Sequence, residues 1–167
     1  MTTFKLALAA AGVVGLLAGQ AVAAGSTTDR TFAQKAAAGG LAEVALGQLA
    51  QQNASSPEIK QFGQRMVADH TQANQELQRI AQTESLTLPT APDSKDQALH
   101  KRLSGLNGAA FDAAYTQNML KDHRADIAEF QREAQSGKDP ALRAFAQKTL
   151  PVLQEHLQMA QAVSKPK

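Results

Sequence analysis

Three histidines and one glutamate, each on a different predicted helix, have the types and spacing of metal ligands. Each histidine lies three, four or seven residues from apolar residues of its own helix, which places it on the face that those residues share. Glu43 has the same relation to Ala36 and Ala50. Imidazole and carboxylate groups together suit Zn²⁺, Cu²⁺ or Fe²⁺. We therefore predict a core site for one such ion, with the ligands Glu43, His70, His123 and His156.

An acidic residue directly precedes each of these three histidines. Neighbouring positions on a helix diverge by about 100°, so each acid faces a neighbouring helix rather than its own histidine. A carboxylate that accepts the imidazole N–H is the usual partner of a metal-bound histidine. Asp126, one turn after His123, is a further candidate for binding or supporting the ion. The predicted supporting acids are Asp69, Asp122, Asp126 and Glu155.

Other interpretations of the same residues stay open. Buried histidines are often hydrogen-bonded core residues, and the acid–histidine pairs would then be interhelical ion pairs that fix register. A third interpretation is a core that responds to pH through histidine titration. Gly39 and Gly47, one turn before and after Glu43, each cost up to about 1 kcal/mol relative to alanine. They indicate either a need for space or a close contact between helices.

Four long helices have to position these residues. Pro57 and Pro140 open two of them in the first helical position. A long connection, residues 84–108, follows the second helix and contains a short helix near 94–103. We therefore predict an all-α fold, a ferritin-like four-helix bundle with a long connection between helices 2 and 3. The four predicted helices cover residues 31–52, 57–83, 110–135 and 140–163.

The first residues have the pattern of a cleavable signal peptide. Lys5 gives the positive charge, residues 6–18 are apolar, and Ala21-Val22-Ala23 supplies the small residues of a cleavage site. The apolar run is shorter than the roughly 20 residues of a membrane span. We predict a periplasmic or secreted protein with no integral membrane span after cleavage. The predicted divisions are a signal peptide (1–23), a linker (24–30), the bundle domain (31–163) and a basic tail (164–167).

Composition excludes several classes of function. The 17 basic and 15 acidic residues balance to a net charge of +2, which argues against nucleic-acid binding. The absence of cysteine excludes a disulfide framework and thiolate metal sites. No nucleophilic triad, phosphate-binding loop or dinucleotide fingerprint occurs. We expect a protein that is not an enzyme, with an envelope protein or a second copy of the chain as candidate partners.

Short motifs from residue 32 to residue 163 carry a resemblance. They are Phe32-Ala33, Gly40-x-x-Glu43-x-x-Leu46-Gly47-x-Leu49-Ala50, Met66-Val67-x-Asp69-His70, Phe111-Asp112-x-x-Tyr115, His123 and Leu150-Pro151-x-Leu153-x-x-His156. In order and spacing they resemble the bacterial family called domain of unknown function 4142. The resemblance implies a ferritin-like four-helix fold, a cell-envelope location and no established activity.

The chain departs from di-iron ferritin-like proteins in one respect. Those proteins carry Glu-x-x-His on two helices and further glutamates on the other two. None of the predicted core histidines here lies in a Glu-x-x-His motif. This difference favours a single-metal site, used for storage, sensing or stress protection, over a di-iron centre. The alternative is a non-catalytic envelope protein in which the same residues form an interhelical polar network.

Overall fold

The structure, a computed structural model, describes residues 26–164, which form five α-helices and no strand. The predicted all-α class is confirmed. Within these residues, no helix is both long and apolar enough to cross a membrane. The predicted signal peptide and residues 165–167 of the predicted basic tail lie outside the described residues. The helices are α1 (Thr27–Asn53), α2 (Pro57–Thr83), α3 (Ser94–Ser104), α4 (Gly108–Ser136) and α5 (Pro140–Val163).

Local capping sets where the helices begin. α2 and α5 begin at the predicted prolines. α1 begins at Thr27, four residues before the predicted start, because Ser26 and Asp29 form a capping box. In that box each side chain accepts a hydrogen bond from the backbone of the other residue, which satisfies two otherwise unpaired N–H groups. Residues 27–30 of the segment predicted as a linker are therefore helical.

Two aspartates fix the relative direction of α1 and α4. Asp29, at the start of α1, accepts a hydrogen bond of 3.0 Å from the backbone N–H of Asp139, in the turn between α4 and α5. Asp112, near the start of α4, accepts 3.1 Å bonds from the backbone N–H groups of Ser55 and Ser56, in the turn between α1 and α2. The start of each helix therefore lies beside the turn of the other hairpin, and α1 and α4 are antiparallel.

The connection between α2 and α4 runs back along the molecule. Because α2 is antiparallel to α1, it ends beside the start of α1, whereas α4 begins beside the end of α1. Residues 84–107 must span this distance, and α3 within them packs on both α1 and α4. The four long helices enclose a shared core through the pairs α1–α2, α4–α5, α2–α5 and α1–α4.

A layer of histidines divides the apolar core into two clusters. On each of α2, α4 and α5, one histidine lies along the helix between a residue of the first cluster and a residue of the second. The first cluster lies towards the α1–α2 turn, and its largest buried members include Phe62, Phe111 and Tyr115. The second lies towards the α4–α5 turn and contains Phe32, Phe130 and Phe145. The polar layer therefore occupies the middle of the core.

The two glycines that bracket Glu43 have different surroundings. A Cβ atom at Gly47 would lie 2.7 Å from the carbonyl oxygen of Gly63 on α2, so this glycine allows α1 and α2 to pack backbone to backbone. A Cβ atom at Gly39 would meet nothing within 4 Å. Gly47 therefore serves a close helix contact, whereas Gly39 borders open space.

Candidate metal centre

His70 on α2, His123 on α4 and His156 on α5 meet in the middle of the core. One potential ligand atom from each lies within 4.8 Å of the other two. The residues are 7%, 0% and 1% exposed, respectively. In the described part of the chain, no other trio of histidine, aspartate or glutamate side chains converges in this way. We call these three residues the histidine cluster.

Each residue of the histidine cluster has a buried ring nitrogen without a hydrogen-bond partner. These atoms are Nε2 of His70, Nε2 of His123 and Nδ1 of His156. A buried polar atom without a partner costs about 1–3 kcal/mol. A cation that accepted the three lone pairs would offset this cost, because it would supply the missing partner to all three atoms at once.

The second nitrogen of two of these rings is held by a hydrogen bond. Nδ1 of His123 donates to the carbonyl oxygen of Met119 at 3.0 Å. Nε2 of His156 donates to Oδ2 of Asp69 at 2.8 Å. Because each acceptor carries no hydrogen, the proton of the neutral ring must lie on the bonded nitrogen. The opposite nitrogen then carries the lone pair, which is the arrangement that a metal ligand requires.

All three imidazoles are neutral at neutral pH. Burial lowers the pKa of His70 well below its usual value and lowers that of His123 to about 4. Burial also lowers the pKa of His156, although its hydrogen bond to Asp69 acts in the opposite direction. A metal binds the neutral form of imidazole, so no proton has to leave these rings before an ion binds.

The separation of the three side chains suits one first-row ion. Bonds from zinc to imidazole nitrogen are about 2.0–2.1 Å long. The three ligand atoms lie within 4.8 Å of one another. An ion at their centre would be farther from each atom than that bond length by at most about 0.7 Å. Small side-chain rotations therefore close the cluster around an ion.

Arg65 on α2 supports the acid that holds His156. Its guanidinium forms a salt bridge with Asp69, one turn later, and its Nη2 atom lies 3.5 Å from Oε2 of Glu155 on α5. Burial alone would raise the pKa of Asp69. The hydrogen bonds from Arg65 and His156 lower this pKa by more than burial raises it, so the pKa of Asp69 lies below its usual value. Arg65 was not among the predicted site residues, although its four-residue spacing from Asp69 was visible in the sequence.

Three of the four predicted supporting acids, Asp122, Asp126 and Glu155, form no hydrogen bond with a histidine among residues 26–164. The side chain of Glu155 is 63% exposed and contacts Arg65. Asp122 accepts a hydrogen bond of 2.6 Å from Nδ2 of Asn118, one turn earlier on α4. Among these acids, Asp69 is the one that holds an imidazole.

Glu43 is buried beside a different space. It is 4% exposed and lines a cavity of about 770 Å³ between α1, the long connection and α4. It is not part of the converging trio, and its Oε2 atom has no hydrogen-bond partner. Burial and the nearby Asp126 raise the pKa of Glu43 well above its usual value. Asp126 lines the same cavity, and burial raises its pKa to about 7.

The comparisons with known proteins identify relatives without an assigned activity. The family model DUF4142, described as a domain of unknown function, matches residues 15–163. A DUF305 protein from Streptomyces coelicolor, described as secreted, has a crystal structure with a TM-score of 0.69 to this chain. It is 12% identical over 81% of this chain and 91% of its own, so the likeness shows the fold alone. No curated protein matches the chain.

Proposed function

Because the chain belongs to the DUF4142 family, whose description gives no function, we propose a function from the geometry: the chain binds one divalent transition-metal ion through His70, His123 and His156. The observation that carries this proposal is the convergence of three buried rings, each with one unpartnered nitrogen. Asp69 and the carbonyl group of Met119 orient two of the rings.

The ligand set favours Cu²⁺ or Zn²⁺ over Fe²⁺. For nitrogen ligands, affinity among divalent first-row ions is highest at Cu²⁺, with Zn²⁺ lower. Non-haem Fe²⁺ sites commonly add a carboxylate to two histidines, and Glu43 is not part of the converging trio. A cavity of about 90 Å³ beside His70 and His156 provides room for a water molecule as a further ligand.

We infer that the protein binds the ion for storage, sensing or stress protection in the cell envelope. The predicted signal peptide supports this location, as does the secreted DUF305 protein with a similar fold. The antiparallel hairpins and the returning connection support a ferritin-like arrangement of the long helices. The small cavity beside the cluster favours binding over catalysis, because pockets for organic substrates usually measure about 300–1,000 Å³.

One observation favours the alternative, a structural polar network. Arg65, Asp69 and His156 form a continuous chain of contacts between α2 and α5. Such a network would hold the helices together without any metal. It gives no partner, however, to Nε2 of His70 or Nε2 of His123.

Metal analysis tests the proposal. The chain is purified without a histidine tag, loaded separately with Cu²⁺, Zn²⁺ and Fe²⁺, freed of unbound ion and measured by mass spectrometry. We expect about one Cu²⁺ or Zn²⁺ ion per chain, and less than about 0.1 in His123→Ala or His156→Ala. His100→Ala, which removes a histidine of α3 outside the cluster, is the matched control and should retain the ion. Less than about 0.1 ion per wild-type chain with all three metals would overturn the proposal.

A further inference from the structure

The cavity beside Glu43, which we call the acidic cavity, has none of the three residues of the histidine cluster in its lining. It lies where the long connection passes between α1 and α4 and has a volume of about 770 Å³. That volume is within the usual range for small-molecule pockets, about 300–1,000 Å³. Six carboxylates and two lysines line it. The carboxylates belong to Glu43, Asp93, Asp96, Asp122, Asp126 and Glu129.

The two lysines leave part of the acidic cavity uncompensated. Lys35 pairs with Glu129 at 3.4 Å, and Lys95 lies 4.0 Å from Asp96. Within residues 26–164, no basic side chain lies within salt-bridge distance of Glu43 or Asp126. Among residues 26–164 the same holds for Asp93 and Asp122, so four of the six carboxyl groups have no cationic partner.

Glu43 shows that this cavity is more than a solvated acidic surface. The residue is 4% exposed, and its Oε2 atom is buried without a hydrogen-bond partner. Burial and the nearby Asp126 raise the pKa of its carboxyl group well above the usual value. A buried, unpartnered carboxyl in the wall of a cavity is a costly arrangement unless a ligand completes it.

The shape of the acidic cavity indicates an organic cation. No three of its carboxylates converge within 4.8 Å, so they do not form a chelating set for a small bare ion. Apolar residues lie among them, including Ala42 and Leu46 on α1 and Leu88 and Pro89 on the connection. Carboxylates separated by apolar surface match cationic groups separated by methylene groups.

We propose that the acidic cavity binds a linear alkylamine with at least two ammonium groups, one of them placed between Glu43 and Asp126. The second ammonium group pairs with carboxylates nearer the connection, where Asp93 and Asp96 lie. The methylene chain packs on the apolar residues between the two ends. No residue of the histidine cluster lines the acidic cavity, so the amine site and the metal site are tested with different variants.

Calorimetric titration of the metal-free chain with 1,4-diaminobutane tests the proposal. We expect 1:1 binding that weakens by about tenfold or more in Glu43→Gln and in Asp126→Asn. Glu84→Gln, the same loss of charge outside the cavity, should bind like wild type. 1-Butylamine, which has one ammonium group on a similar chain, should bind at least about tenfold more weakly than the diamine.

Several results would overturn the proposal. They are the absence of diamine binding up to millimolar concentration, equal weakening by Glu43→Gln and Glu84→Gln, and equal binding of the monoamine and the diamine. Displacement of the diamine by an equal concentration of Ca²⁺ or Mg²⁺ would assign the cavity to a small ion instead. Circular dichroism of Glu43→Gln checks that the variant is folded, because glutamine has nearly the size and shape of glutamate and should leave the fold intact.

Discussion

Nε2 of His156 on α5 donates a hydrogen bond of 2.8 Å to Oδ2 of Asp69 on α2. The bond crosses between helices, because Asp69 faces away from its own neighbour in sequence, His70. It leaves Nδ1 of His156 as the nitrogen that carries the lone pair, and that atom is buried without a partner. One carboxylate thus fixes both the orientation and the tautomer of a ring in the cluster.

Removing this carboxylate should weaken metal binding without removing a ligand. We expect Asp69→Ala to lower the affinity for Zn²⁺ by about 10- to 100-fold, the usual effect of losing the carboxylate partner of a metal-bound histidine. The measurement is a competition titration against a chelator of known affinity. Asp122→Ala is the matched control, since Asp122 also precedes a cluster histidine but bonds to Asn118. Equal losses in the two variants would contradict the role given to Asp69.

Bound metal should stabilise the folded chain. An ion that binds only the folded state, at a free concentration of 100 times its Kd, adds about 2.7 kcal/mol. For a chain of this size we expect Tm to rise by roughly 5–10 °C, measured by circular dichroism with and without Zn²⁺. His70→Ala should abolish the rise. A purely structural network makes a different prediction: His70→Ala would lower Tm by the same amount with and without the ion.

Local sequence patterns were sufficient to predict most helix bounds and the convergence of the histidines. α2 and α5 begin where a proline follows a capping residue, and such signals depend on a few adjacent residues. The apolar spacing placed His70, His123 and His156 on inward faces. The constant rise of a helix placed them at similar heights. The apolar spacing and the helical rise are both properties of a single helix, so they can be predicted from the sequence of that helix alone.

The surroundings of Glu43 could not be predicted from the sequence of α1 alone, because its neighbours belong to other elements of the fold. Its inward position on α1 was predicted, but that face borders both the core and the path of the connection. The route of residues 84–107 is set by tertiary packing of α3 on α1 and α4. Asp96 and Glu129 therefore could not be assigned to a common cavity with Glu43 in advance. The same reason explains why the two neighbouring glycines looked equivalent in sequence.

Alanine at the two glycines should have opposite effects on stability. At Gly47 the new Cβ atom would lie 2.7 Å from the carbonyl oxygen of Gly63, a backbone atom that cannot swing away. We expect Gly47→Ala to cost about 1–3 kcal/mol of unfolding free energy, in line with other overpacked sites. At Gly39 nothing lies within 4 Å, so Gly39→Ala should gain up to about 1 kcal/mol from helix propensity. Urea unfolding measures both, and a stable Gly47→Ala or a destabilised Gly39→Ala would contradict the packing described.

The carboxyl group of Asp126 should make the stability of the chain depend on pH. Burial raises its pKa from 3.8 to about 7 in the folded state. Between these values the folded chain holds a proton that the unfolded chain has lost, so this group favours unfolding increasingly as pH rises through the window. Above pH 7 the effect is constant. The contribution is on the order of 2 kcal/mol over the full window, allowing for partial exposure of the side chain.

Asp126→Asn removes this titration and isolates its effect from those of the other buried groups. Urea unfolding at intervals from pH 4 to pH 8 gives the free energy of unfolding of each chain. The variant should be close to wild type near pH 4, where both side chains are neutral, and more stable than wild type at pH 7. Glu84→Gln, a change from carboxyl to amide outside the acidic cavity, is the matched control. Parallel curves for Asp126→Asn and wild type would mean that the pKa of Asp126 is the same in the folded and unfolded chains, and that the cavity is more hydrated than its lining implies.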